Sequence, residues 1–218
     1  MRRIAVLMMA VAVMLFGVVV LASATESANV NRFDGKNLPP WADATLVRGD
    51  DAVSAVIETH VGGDMFELDL SGAPDVEVVP QGTKWKVGDA TTMWWVIWNN
   101  PEDCVDGCGP DDLARSLVEG DDLYGTVGVL PATGSVATSG RWSASATLAE
   151  DVIPPYAVVP IPLRDAATAE VHLVVRSHGP ASNFTADQLV EALTTIDGGC
   201  GINTCGDAQD VIFLPPQL

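Results

Sequence analysis

The sequence predicts an all-β protein, a β-sandwich or a Greek-key barrel, with one short C-terminal helix. Roughly eight or nine short segments are apolar or alternate between apolar and polar residues, and Gly, Pro and Asp separate them. One later segment breaks this pattern, because Thr185 and Gln188 fit a helix capping box and an apolar stripe at helical spacing follows. The four cysteines are an even number, which is typical of a disulfide-stabilised exported domain.

The N-terminus has the pattern of a secretory signal peptide. Arg2 and Arg3 precede an uncharged, mostly apolar run over residues 4–21, and a small-x-small cleavage pattern follows at 22–24. An uncleaved anchor is the alternative, because the run approaches the roughly 20 residues that span a bilayer. We therefore expect a secreted or periplasmic protein, with a signal peptide over 1–24, a polar leader over 25–43 and a single β-sandwich domain over 44–218.

The charge of the chain limits its partners. Lys and Arg number 11 against 29 Asp and Glu, a net charge of −18, and cleavage of the signal peptide would remove two more positive charges. Nucleic-acid binding requires a basic surface, and anionic membranes attract basic segments. The composition therefore argues against both partners, favours solubility, a saline environment or weak cation binding, and identifies no partner of its own.

The strands are expected in a regular order along the chain. The run TTMWWVIW at residues 91–98 is apolar on both faces, which predicts a central strand buried on both sides. The segments 123–130 and 136–148 are expected to form a pair of strands around a turn at 131–134, and residues 110–117 a further short helix. The other segments with strand character are residues 53–61, 66–70, 76–79, 170–176 and 211–214.

The segment AEVHLVVRSHGP at residues 169–180 carries the most informative pattern. Val171, Leu173 and Val175 fall on one face, which predicts that this face packs in the core. The opposite face carries polar residues and two of the three histidines of the chain: Glu170, His172, Arg176 and His178. Glu170 and Arg176 lie roughly 20 Å apart along a regular strand, so each needs a different partner.

The histidines suggest a metal site. Neutral imidazole binds copper and zinc, so His172 with His178 or His60 is the candidate ligand set. The alternative is a polar face turned to solvent, with His172 bonded to Glu170 or to a neighbour across the sheet. No H-x-H or H-E-x-x-H spacing is present. The acidic pairs at 111–112 and 121–122 would suit a loose calcium site, although neither matches EF-hand spacing.

The cysteines are expected to form disulfides, because an exported chain folds in an oxidising compartment. Cys104 and Cys108 lie close together in sequence, as do Cys200 and Cys205, and Gly, Asn and Asp around each pair allow a closed turn. We therefore predict the two local pairs. Cross-pairing and a zinc site built from all four cysteines are the alternatives.

Catalysis has little support in the sequence. There is no G-x-S-x-G motif, and no cysteine is free for nucleophilic chemistry if all four are bridged. The sequence thus favours a binding or structural module over an enzyme. Hydrolysis in a cleft that contains Glu170 and His172 is a weaker hypothesis.

Two motifs resemble the hallmarks of a family of exported bacterial proteins without an established activity. They are WWVIWNNPEDC, which ends at Cys104, and AEVHLVVRSHGP, continuing to the segment at 198–205. More remotely, a strand bearing histidines in an exported sandwich is similar to chordin-type (CHRD) domains, whose fold resembles Cu,Zn superoxide dismutase. The resemblance implies export and a sandwich fold. It implies no catalytic residues, because the paired H-x-H histidines of those domains are missing here.

Overall fold

The structure, a computed structural model, describes residues 24–33, 35–69, 77–105, 107–119 and 125–216. Two antiparallel sheets enclose a common core, so the prediction of an all-β sandwich is confirmed. The described strands are β1 Ala24–Asn29, β2 Asn31–Arg32, β3 Asp43–Arg48, β4 Ala52–His60, β5 Asp64–Asp69, β6 Glu77–Lys84, β7 Asp89–Trp98, β8 Val127–Val136, β9 Arg141–Ala149, β10 Glu170–Pro180 and β11 Gly206–Phe213. The helices are α1 Pro110–Glu119 and α2 Ala186–Ala192, and short 3-10 turns occur at Pro101–Asp103 and Ala181–Asn183.

The two sheets differ in size and in their surroundings. The smaller sheet has four strands in the order β1-β3-β4-β9. The larger sheet has seven, in the order β6-β5-β11-β10-β7-β8, with the short β2 paired to β11. The strand β10 therefore lies near the middle of the larger sheet, between β11 and β7, where both of its edges are hydrogen-bonded.

The core between the sheets follows the alternation seen in the sequence. Val53, Ala55 and Ile57 of β4 are buried on one side of it, and Val171, Leu173 and Val175 of β10 on the other. Side chains two residues apart in a strand share a face, so each strand contributes every second residue to this layer. The predicted core face of residues 169–180 is thus confirmed.

A second apolar layer covers the outer face of the larger sheet. Trp94, Val96 and Trp98 of β7 pack there with residues of β8 and of the 159–161 segment, while Trp95 and Ile97 of the same strand enter the main core. All ten residues of β7 are consequently buried. The prediction of a central strand buried on both sides is confirmed, and the segment that follows β7 folds back over this layer.

The connection between β8 and β9 differs from the expectation. Residues 131–134 do not form a turn, because β8 continues through them to Val136 with a register shift opposite Met93 and Trp94 of β7. Pro131 lacks a backbone N–H, and an edge strand such as β8 tolerates proline at an irregularity of this kind. The chain then crosses to the other sheet, where β9 pairs with β4 and not with β8.

The segment expected to be a polar leader, residues 25–43, contributes two strands to the sandwich. β1 pairs along its whole length with β3, and β2 pairs with β11 of the other sheet. Arg48 of β3 is buried and donates to the Glu26 carboxylate and to the backbone carbonyls of Ala166 and Ala169.

The predicted signal peptide lies outside the described residues except for Ala24. No helix in the described ranges has the length and hydrophobicity needed to span a bilayer.

Candidate functional site

The polar face of β10 is buried rather than turned to solvent. Glu170 is 6% exposed, His172 7%, Arg176 4% and His178 0%. Two segments cover this face. The turn closed by Cys104 and Cys108, together with α1, packs over one end, and the loop after α2 packs over the other. Such groups are buried at a cost unless they are paired, so their partners show what the face is built to hold.

Glu170 and His172 form a bonded pair at the first end of the face. The Nε2 atom of His172 lies 2.7 Å from Oε1 of Glu170. The indole of Trp98 lies against the imidazole, with 4.4 Å between the ring centroids. The two side chains are two residues apart on the same strand face, which is why the contact forms locally and why the sequence could suggest it.

A pocket of about 130 Å³ opens beside His172. Its walls are mostly apolar and come from five parts of the chain, namely from Phe33, Leu68, Val96, Leu113 and Ile212. Leu113 belongs to α1, and Cys108 of the first disulfide also lines the pocket. The segment after β7 therefore acts as a cover that converts one end of a sheet face into a cavity.

Asp210 of β11 places a carboxylate in this apolar pocket. Its strand position is opposite Val174, so its side chain lies diagonally across from His172 on the same face. None of the salt bridges within the described residues involves Asp210. Burial raises the pKa of Asp210 above its ordinary value, and the nearby imidazole of His172 partly offsets this effect.

Arg176 stands at the centre of a separate ionic network. Its Nη1 atom donates to Asp207 Oδ1 at 2.9 Å and its Nε atom to the carbonyl of Ile196 at 2.9 Å. Burial lowers the pKa of Arg176, but the carboxylates of Asp207, Glu67 and Asp197 outweigh burial and raise this pKa above its ordinary value. Burial also raises the pKa of Asp207, against the opposing effect of Arg176. This network is internally paired and is best understood as structural.

His178 lies at the far end of the face with both ring nitrogens engaged. Nδ1 is 2.9 Å from the carbonyl oxygen of Gly198, and Nε2 is 2.9 Å from the hydroxyl of Thr92. Because a carbonyl only accepts, Nδ1 carries the proton. Thr92 accepts from the indole of Trp94 and donates to Nε2. Burial, helped by the nearby charge of Arg176, lowers the pKa of His178 to about 4.

The second disulfide lies directly against His178. Both predicted disulfides are confirmed, Cys104–Cys108 and Cys200–Cys205, and no described cysteine is free. The Sγ atom of Cys205 is 3.7 Å from Nδ1 of His178, and one ligand atom from each of His178, Cys200 and Cys205 lies within 4.8 Å of the others. The alternative of a zinc site with all four cysteines does not hold, because the two pairs form separate bridges.

The structure does not bring the three histidines together. His60 is exposed on β4 of the smaller sheet, next to Trp41, whereas His172 and His178 lie on the outer face of the larger sheet. His172 is bonded to Glu170. His178 lies six residues further along β10 and is bonded to Thr92. Within the described ranges, His178 with the two cysteines is the group of three potential ligands that comes close together. The predicted combination of His172 with His178 or His60 does not form such a group in this part of the chain.

One of the acidic residues considered for calcium, Asp112, has a structural role. Asp112 is buried, and its Oδ1 atom accepts a hydrogen bond of 2.9 Å from the backbone N–H of Val105. This contact ties α1 to the turn of the first disulfide. Residues 121–122 lie outside the described residues.

A larger groove of about 530 Å³ runs between β7, β8, the prolines at 154–155 and α2. The exposed Tyr156 and Val190 form part of its rim, and no charged residue lines it. The groove is wide and open, and nothing in its lining selects a particular ligand.

The sequence pointed to Glu170, His172, Arg176 and His178 but not to Asp210, Thr92 or Gly198. Asp210 has one signal in the sequence, since it is a charged residue within the apolar end of a strand. The contacts of Thr92 and Gly198 with His178 have no sequence signal, because they span 86 and 20 residues. The site thus combines residues that only the fold brings together.

The fold and the site define this protein as a disulfide-stabilised β-sandwich with a buried polar strand face and a His/Cys/Cys group. Comparison of the chain with family models, with curated proteins and with solved structures gives no match.

Proposed function

We propose that the chain is an exported, non-catalytic binding module that takes a small organic cation into the pocket beside His172. The observation that supports this proposal is the Asp210 carboxylate, which lies in a mostly apolar cavity and forms no salt bridge within the described residues, although the imidazole of His172 is close enough to lower its pKa. Asp210 is partly buried, and a carboxylate shielded from water without an ion pair is costly, so a bound ammonium group would reduce that cost. Export and membership of the exported bacterial family suggested by the motifs are parts of the same proposal.

The charge of the pocket supports a cationic ligand. Glu170, which is bonded to His172, adds a further carboxylate next to the pocket. Arg176 is already paired with Asp207, so it does not neutralise Asp210. Asp207 and Asp210 both line the pocket, so an anionic ligand would meet two carboxylates there, and the net charge of −18 would repel it at long range.

The size of the pocket limits the ligand. A cavity of about 130 Å³ is close to the ~150 Å³ cavity that binds benzene in an engineered protein core. The apolar walls from Phe33, Leu68 and Val96 suit a hydrocarbon body of that size. A primary ammonium group next to one small aromatic or branched alkyl group therefore matches both the walls and the charge.

The lining supports binding rather than covalent catalysis. The described residues of the pocket include no serine, threonine or free cysteine, so no side-chain hydroxyl or thiol shares the pocket with His172. The imidazole is instead held between the Glu170 carboxylate and the Trp98 ring, an arrangement that orients the wall of a pocket.

The test is a titration of the intact protein with three ligands of the same shape: benzylammonium, benzyl alcohol and benzoate. Amide NMR shifts of β10 and β11 should respond to benzylammonium most strongly. Asp210→Asn should weaken its binding about tenfold or more, because a hydrogen bond to a charged group contributes about 1.5–3 kcal/mol. Asp43→Asn is the matched control, since it removes the same charge from the smaller sheet.

Equal binding of benzoate and benzylammonium would refute the cationic ligand, as would full retention of affinity in Asp210→Asn. Export has a separate test. Sequencing of the mature N-terminus from the medium or periplasm should give Thr25 as the first residue, and recovery of the chain in the membrane fraction with Met1 intact would contradict signal cleavage.

A further inference from the structure

The second disulfide has a neighbour that the first lacks. Nδ1 of His178 lies 3.7 Å from Sγ of Cys205, and Cys200 completes a group whose ligand atoms all lie within 4.8 Å. In the described part of the chain, no third donor of this kind joins Cys104 and Cys108. The protein therefore carries two local disulfides, of which one is placed beside an imidazole.

The spacing of this group matches a metal site. With Zn–S bonds of about 2.3 Å and Zn–N bonds of about 2.0–2.1 Å at a tetrahedral angle, a sulfur and a nitrogen ligand lie about 3.6 Å apart. His178 and Cys205 already have this separation. Cys200 would need to move, because the two sulfurs must separate from bonding distance to about 3.8 Å, and the carbonyl of Gly198 would need to leave Nδ1.

We propose that His178, Cys200 and Cys205 form a redox-gated zinc site, which assembles when their disulfide is reduced and is lost when the disulfide closes. The inference is independent of the cation pocket, which lies at the other end of β10. Two thiolates and one imidazole are a known zinc ligand set, and water completes the fourth position. Cys200 is partly exposed, so water and the ion have a route to the site.

The electrons and protons that open the disulfide come from outside the protein. An external dithiol reduces the disulfide with two electrons and two protons and itself becomes a disulfide. Zn²⁺ then displaces one proton from each of the two thiols as the metal–sulfur bonds form.

His178 binds through Nδ1 after its proton moves to Nε2, and no proton is gained or lost in this tautomer change. The hydroxyl oxygen of Thr92 then accepts from Nε2, and the carbonyl of Gly198 is released. Thr92 is thus a positioning residue, since it holds the imidazole in place in both states without touching the ion.

The two disulfides provide the experiment with an internal control. The double variant Cys104→Ser/Cys108→Ser keeps only the proposed site, and Cys200→Ser/Cys205→Ser keeps only the other pair. Each protein is reduced with a phosphine, which takes up the oxygen of water as the disulfide opens, and is titrated with Co²⁺ and then Zn²⁺ under argon. Circular dichroism before and after reduction verifies that each variant is folded.

The variant that keeps Cys200 and Cys205 should bind one Co²⁺ per chain, with intense thiolate-to-cobalt absorption that Zn²⁺ abolishes. The variant that keeps Cys104 and Cys108 should show no such bands, nor should unreduced wild-type protein. His178→Ala should weaken binding at least about tenfold and shift the cobalt spectrum.

A second measurement covers the case in which His178→Ala does not fold. In wild-type protein, zinc should shift the equilibrium of the Cys200–Cys205 disulfide with glutathione towards the thiols, and should leave Cys104–Cys108 unchanged. Equal cobalt binding by both double variants would overturn the proposal, as would zinc that shifts both disulfides equally or neither of them.

Discussion

Acidification should destabilise the fold through His178, and replacement of this residue should remove a defined part of the pH dependence. The imidazole is fully buried, and its pKa is lowered from 6.5 to about 4. Below pH 6.5 the unfolded chain binds a proton at this position that the folded chain does not, so stability falls as the pH decreases from about 6.5 to about 4. The full effect is about 3 kcal/mol, and about 2 kcal/mol is lost by pH 5.

The assay is urea unfolding at pH 7.5 and pH 5 for wild-type protein and for His178→Asn. The Asn side chain can still donate to the carbonyl of Gly198 but does not titrate. The variant should be less stable at pH 7.5, because the bond to Thr92 is lost, yet its stability should fall by about 2 kcal/mol less than that of the wild type between the two pH values.

The comparison isolates His178 from the groups around it. Arg176 faces it with Asp207, Glu67 and Asp197, and all four groups are present in both proteins, while the disulfide at 200–205 does not titrate. His60→Asn is the matched control, since His60 is exposed on the other sheet, and it should keep the wild-type pH dependence. An identical pH dependence in wild type and His178→Asn would refute the reasoning.

Three further substitutions test individual contacts. Arg48→Met should lower the free energy of unfolding by about 3 kcal/mol in urea titrations, because it removes the buried donor that joins Glu26 to the carbonyls of Ala166 and Ala169. A loss below ~1 kcal/mol would contradict this role. Gly128→Ala should lower the free energy of unfolding by about 1–3 kcal/mol in the same assay, because the added Cβ would overlap the carbonyl oxygen of Ile161. A variant as stable as the wild type would disprove the tight packing of β8 against the 159–161 segment. Tyr156→Gly should raise the melting temperature, because Tyr156 is exposed and has a left-handed φ of 67°. Glycine adopts this conformation without strain, which contributes about 1 kcal/mol. A lower melting temperature would indicate that the tyrosine ring packs favourably.

The fold class could be predicted because strand alternation is a local property. Val53, Ala55 and Ile57, like Val171, Leu173 and Val175, appear in the sequence at the period of two that a half-buried strand requires. The continuous apolar run of β7 likewise predicted burial on both sides. The end of β8 could not be predicted in this way, because Pro131 and Gly134 are typical of turns and only the pairing with β7 extends the strand through them.

For the site, the sequence by itself determined which residues share a strand face and which cysteines can close short rings. Both are set by distance along the chain, so Glu170 bonds His172, and each cysteine pairs with its near neighbour. Only the tertiary structure decided that this face is buried, that Asp210 meets an apolar pocket and that His178 lies beside the second disulfide rather than beside another histidine. These outcomes depend on which segments fold back over the sheet, and contacts between distant segments leave no periodic signal in the sequence.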